Sequence, residues 1–148
     1  MILAPFSGPV WRILAEDLAD TPGEPARAPF GRFHHSGQFA AYASLSAEGA
    51  AVAIRRYLGD GARRILVPMR LEAARVADRR GNRDASVVWQ DRHARGEPSP
   101  TWAFSDEARA NGAQAMLYSS RSRPDLSHVV VFERDCLLFV GPITAFED

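Results

Sequence analysis

The apolar residues of this chain come in short runs, each cut off by glycine, proline or a charge, and that punctuation limits it to short strands with short helices between them. Val10-Trp11-Arg12-Ile13-Leu14 suits a first strand. Pro22, Gly23, Pro25, Pro29 and Gly31 crowd the loop that follows, over residues 20–31. Phe39-Ala40-Ala41-Tyr42-Ala43 fits a second strand. Ser46 offers an N-cap, and Glu48 a favourable first-turn charge, to a helix running from Ala50 to Leu58 and ended by Gly59. Arg64 to Met69 reads as another strand, in which Pro68 implies an edge or a strand end because it cannot donate to a ladder. An amphipathic helix is expected between Asp84 and Arg95, closed by Gly96 and the breaker Pro98-Ser99-Pro100. Ser105-Asp106-Glu107 is expected to start a short helix that Gly112 stops. Ala115 to Tyr118, His128 to Phe132 and Leu137 to Val140 complete the strands, the last two as a hairpin around Arg134-Asp135.

The chain shows no repeat and no internal boundary, so the expectation is one mixed α+β domain over residues 1–148. Its 46% apolar content is enough for a real core at that length. No run approaches the roughly 18 apolar residues of a membrane span, and Met1 to Phe6 lack the charge and length of a secretory leader, so a cytoplasmic location is expected. A net charge of zero argues against a broad face for nucleic acid, whose binding requires many phosphates to be neutralised. All 18 basic residues are arginine, which excludes Schiff-base and P-loop lysines, and with them kinases and P-loop NTPases. Cys136 is the single cysteine, so an internal disulfide and multi-cysteine zinc sites are ruled out and a buried, inert thiol is expected. No metal site is expected: beyond His34 and His35 only His93 and His128 remain as nitrogen donors, at spacings unlike a zinc motif.

Four features stand in an informative order: Gly31-Arg32-Phe33-His34-His35-Ser36-Gly37, Tyr42, the Ser46 helix start, and Leu117-Tyr118-Ser119-Ser120-Arg121. Together they resemble the RES domain, a family named for an arginine, a glutamate and a serine that recurs in the toxin half of bacterial toxin–antitoxin pairs that consume NAD. Arg32 corresponds to the arginine and Ser120 to the serine, while the glutamate position falls on Ala53. The resemblance implies an ADP-ribosyltransferase-like core of two small mixed or antiparallel sheets, short flanking helices and a central NAD cleft. It implies a toxin that cleaves NAD at the nicotinamide–ribose bond and passes ADP-ribose to a target protein. The alternatives are an NAD glycohydrolase or phosphorylase, and a catalytically inactive NAD- or partner-binding domain. The implied partner is a cognate antitoxin of the Xre/MbcA/ParS-like kind.

Chemistry assigns roles to the candidate residues. NAD needs guanidinium or amide donors for its pyrophosphate, hydrogen-bonding groups for its riboses and an aromatic face for nicotinamide. The candidates for chemistry are Arg32, Tyr42, Ser120 and Glu48; those for holding NAD are Arg12, Arg32, His34, His35, Tyr42, Ser120, Arg121 and Arg123. Arg32 can present a planar fork, or cap a loop at the surface. Tyr42 can stack on nicotinamide or sit in the core. Ser120 can bond a ribose or satisfy its own loop. His34 and His35, being adjacent, point in different directions, so at most one reaches the site of Arg32. Glu48 lies about 140° around the helix from position 53, and is either a substitute carboxylate or a helix-end charge.

Overall fold

The computed structural model describes residues 1–148. Seven strands carry the fold: β1 (Ala4–Ala15), β2 (Ala41–Ser44), β3 (Arg64–Asp78), β4 (Ala115–Ser119), β5 (Ser127–Val131), β6 (Leu137–Phe139) and β7 (Thr144–Phe146). Three helices are interspersed: α1 (Ala47–Ile54), α2 (Gln90–Ala94) and α3 (Trp102–Ala110). Hydrogen bonding links the strands in the order β1-β2-β5-β4-β3, and β3 also pairs with β1, so five strands close into a barrel. The β3–β4 pair is parallel and the other pairings are antiparallel. The mixed α+β architecture is as expected, but one hydrogen-bonded network replaces the two small sheets, because β1 and β3 are long enough to seal the ring.

Closure has a local cause. From Arg64 to Ala73 the residues of β3 alternate between core and surface, as a strand packed on one face requires. A bulge then follows, where the β1 register jumps from Phe6↔Ala73 to Ala4↔Val76. The two amides it frees, Ala74 N and Arg75 N, both donate to Gln114 Oε1. Beyond the bulge β3 continues as the parallel partner of β4. Pro68 lies well inside this strand rather than at its end: its carbonyl accepts from Val140 N and Gly141 N, and its missing N–H falls in the gap between the β7 and β6 pairings.

Strand alternation produces two cores. Ala41 and Ala43 of β2, Val129 and Val131 of β5, and Ala115 and Leu117 of β4 face the barrel interior with Val10, Val67 and Leu71. The opposite faces of β4 and β5 place Met116, Tyr118 and Val130 in a second cluster with Phe33, Ala108 and Phe132. Cys136 is buried in the first cluster, and burial raises its thiol pKa.

Four expected elements differ. The final hairpin does not form: β5 pairs with β2 and β4, and β6 pairs with β3. The stretch from Asp84 to Arg95 is broken, with a 3-10 turn at Arg83–Ser86, extended backbone at Val87, and only Gln90–Ala94 helical. Ser105 is buried within α3, which begins at Trp102, and its hydroxyl donates to the Trp102 carbonyl instead of capping. Finally, α1 is capped as expected by Ser46 Oγ, which accepts from Gly49 N at 2.9 Å, but a 3-10 segment carries the chain to Gly61, whose φ of 71° ends it.

Candidate functional site

The outer face of β2, β5 and β4, together with the loop of residues 26–34 and α1, encloses an open cavity of about 740 Å³. Strand register builds its floor: Ser44 of β2 lies opposite His128 of β5, and His128 opposite Tyr118 of β4. Two residues further along β2 stands Tyr42, on the same face by the period of a strand. Ser120 follows Tyr118 just past β4. The cavity thus gathers Arg12, Arg32, His34, Tyr42, Ser120 and Arg121, which are far apart in the chain.

Arg32 is half-buried and its guanidinium makes no hydrogen bond or ion pair within the protein; its central carbon stands 5.8 Å from the centre of the Tyr118 ring. Arg12 is differently employed. Its Nε donates to the Tyr42 carbonyl, and its Nη1 to the carbonyls of Pro22 and Glu24, at 2.7 to 2.9 Å. It therefore braces the proline-rich loop against β2, and burial pushes its pKa down to about 10 against the pull of Glu24.

Tyr42 and His34 form a satisfied pair. His34 Nε2 lies 2.7 Å from the Ala28 carbonyl, which can only accept, so Nε2 carries the proton and Nδ1 accepts from the Tyr42 hydroxyl at 2.8 Å. The Tyr42 oxygen in turn accepts from Phe33 N at 3.0 Å. Burial lowers the His34 pKa and raises that of Tyr42, so both are neutral at physiological pH. Gly31 is required beside this pair: a Cβ there would lie 2.3 Å from the imidazole of His34.

His35, Glu48 and Arg123 do not line the cavity. The His35 ring is turned away, onto Trp102 and toward Asp106, with Nε2 2.9 Å from Asp106 Oδ2. Glu48 is exposed in the first turn of α1 and meets Arg123 at 3.3 Å, while Arg123 is also paired with Asp125. Ala53, by contrast, is exposed on the cavity wall.

Several lining residues were not among the sequence candidates. His128 is buried, its Nδ1 2.7 Å from Ser44 Oγ, and burial with the nearby charge of Arg32 lowers its pKa to about 4. Considered only as a metal donor, it gave one other signal, a polar residue in phase with Val130 in an apolar strand. Tyr118 stood in the Leu117 to Arg121 segment without a role of its own, and Ser44, Trp11, Trp89, Tyr57 and Arg56 had no signal that spacing reveals. Arg12, Arg32, Arg56 and Arg121 make the cavity cationic, and none of its lining residues is an aspartate or glutamate. Such a cavity can hold an anion between guanidinium groups and a planar ring against tyrosine or tryptophan.

The family model described as "RES domain" matches residues 9–146. Among solved structures the chain is similar to one in a crystal structure of the M. tuberculosis MbcT–MbcA toxin–antitoxin complex, with a TM-score of 0.69 and 19% identity over 97% of this chain and 86% of that one. No curated protein matches the sequence. The family match runs from the middle of β1 through β7 and takes in every wall of the cavity, and the chain belongs to the RES domain family.

Proposed function

We propose that this chain is the toxin of a toxin–antitoxin pair, and that its cavity takes NAD, cleaves the nicotinamide–ribose bond and passes ADP-ribose to a protein acceptor. The observation that carries the reading is the unpaired guanidinium of Arg32 beside Tyr118, Tyr42 and Ser120, in a cavity of about 740 Å³. A guanidinium with no partner in the protein is a ready fork for pyrophosphate oxygens, and the volume is in the range of small-molecule sites. Arg121 offers a second cation at the rim. Tyr42, with its hydroxyl already occupied, contributes its ring face. The bond between C1′ and the nicotinamide nitrogen breaks with its electron pair leaving on the ring, a lone pair of the acceptor forms the new bond to C1′, and the acceptor gives up its proton to solvent. The exposed apolar rim of Phe30 and Tyr57 suits cover by a cognate antitoxin of the Xre/MbcA/ParS-like kind.

A second reading, NAD phosphorolysis, is favoured by a cavity lining that holds no carboxylate. Positive charge develops at C1′ as nicotinamide departs, and an incoming phosphate would supply the negative charge that position 53 lacks. Purified protein incubated with NAD should release nicotinamide, read by chromatography. Labelling of one or a few bands from biotinylated NAD in a lysate supports transfer to protein. Loss of NAD that depends on added phosphate, without labelled protein, selects phosphorolysis. No release above a heat-killed control, with folding confirmed, leaves a domain that binds NAD or a partner without turnover.

A further inference from the structure

The loop that carries Arg32 is held from behind by one helix. Three successive carbonyls, those of Gly31, Arg32 and Phe33, accept hydrogen bonds from side chains at or near the start of α3 and from its last turn. Trp102 Nε1 donates to Gly31 O at 2.8 Å, the Thr101 hydroxyl to Arg32 O, and Arg109 Nη1 to Phe33 O at 2.8 Å. Arg109 Nη2 reaches on to Phe39 O at 2.9 Å, and its guanidinium lies 4.1 Å over the ring of Phe132. Thr101 is completely buried, and its hydroxyl is set by Ser99 Oγ at 2.6 Å. Next in the loop, His35 and Gln38 both bind Asp106 of α3.

Apart from the Gly31–His34 bridge and the turn at His35–Gln38, this stretch makes no backbone ladder of its own. An irregular segment with three carbonyls in a row bound by side chains of a single helix takes its position from that helix. We propose that Trp102, Thr101 and Arg109 are positioning residues that set the Arg32 guanidinium in the cavity, none of the three donors being turned to the ligand. The inference rests on the reading of the cavity as an NAD site and adds what determines its geometry.

The test uses the full chain and two conservative changes. Trp102→Phe removes the indole N–H and keeps a ring against His35 and Phe30; Thr101→Val removes the hydroxyl and keeps the shape. Each should lower kcat/KM for NAD by about three- to tenfold, the loss of one neutral hydrogen bond. In an Arg32→Ala background, the same changes should lower it no further, since positioning acts only through Arg32. A merely structural role would give the same fold-loss in both backgrounds and would overturn the proposal. Two readouts are independent of turnover. Hydrogen exchange at the Gly31, Phe33 and His35 amides should accelerate in Thr101→Val/Trp102→Phe, and affinity for inorganic pyrophosphate, measured by calorimetry, should fall by about tenfold or more. If the parent does not cleave NAD, the functional reading fails while these two measurements still decide the positioning role. Unchanged exchange together with unchanged pyrophosphate affinity overturns it.

Discussion

Arg32 and His128 are two cavity residues with opposite electrostatic roles. Arg32 makes no hydrogen bond or ion pair in the protein, only the contact with the Tyr118 ring, so Arg32→Ala should cost no more than about 1 kcal/mol of stability. Losing a charge-assisted contact in a desolvated site costs on the order of 1.5 to 3 kcal/mol, so NAD affinity should fall about tenfold to more than a hundredfold. Arg32→Lys should fail nearly as badly if the contact is a two-pronged one. Calorimetric titration with NAD checks both, and parental affinity in Arg32→Ala would reduce the residue to a surface charge. His128 is held neutral, its pKa lowered from 6.5 to about 4, chiefly by burial. In that window the unfolded chain binds the proton and the folded one does not, so stability rises with pH: the contribution is complete above pH 6.5 and is lost as pH falls toward 4. The loss amounts to roughly 3 kcal/mol at most. Melting temperature followed from pH 7.5 to 4 should drop more steeply in the parent than in His128→Asn, and parallel curves would show that His128 is not the titrating group.

At the scale of elements, α1 shows what residue type and spacing reveal and where they stop. The serine N-cap was legible because its chemistry is local, and Ser46→Ala should cost about 1 kcal/mol, or roughly 2 to 4 °C in melting temperature. The helix also presents Ala53 to the cavity, where the family resemblance places a glutamate. Since Ala53 is exposed, Ala53→Glu buries no charge and should fold like the parent, with turnover of NAD raised by the added carboxylate; nicotinamide release measures it. Glu48→Gln breaks only an exposed contact to Arg123 and should leave turnover intact. The elements that escaped prediction are those fixed at a distance. Ser105 has the residue type of a cap, yet α3 already begins at Trp102, whose indole is tied to the Gly31 carbonyl far away in the chain. The apolar run of Leu137 to Val140 suggested a hairpin with β5, but β5 already has β2 and β4 on its two edges. One local signal was overlooked: Met69-Arg70-Leu71-Glu72-Ala73 alternates cleanly, which extends β3 well past Pro68.

At the scale of the molecule, closure into a barrel depends on the long β1–β3 ladder, whose pairs run from Ala15↔Arg64 to Ala4↔Val76 and which no local pattern encodes. Its consequence is a division of labour between two cores separated by one layer of strands. Leu71 is fully buried in the barrel interior, away from the cavity; Met116 is fully buried in the outer cluster with Phe33, which follows Arg32 in the chain, and Tyr118, which lines the cavity. Leu71→Ala and Met116→Ala should both cost about 2 to 5 kcal/mol, because each leaves a void in close-packed surroundings. Their effects on ligand binding should part. Below its lowered melting temperature Leu71→Ala should bind NAD as the parent does, since a defect in the interior shifts the population of folded molecules without moving the cavity. Met116→Ala removes support from Phe33, the neighbour of Arg32, and should weaken NAD binding several-fold in molecules that are still folded. Titrations at 15 °C, with the folded fraction fixed by circular dichroism, distinguish the two. Equal affinity in both variants would mean that the outer cluster does not carry the cavity's geometry, and that the ties from α3 hold the arginine loop without it.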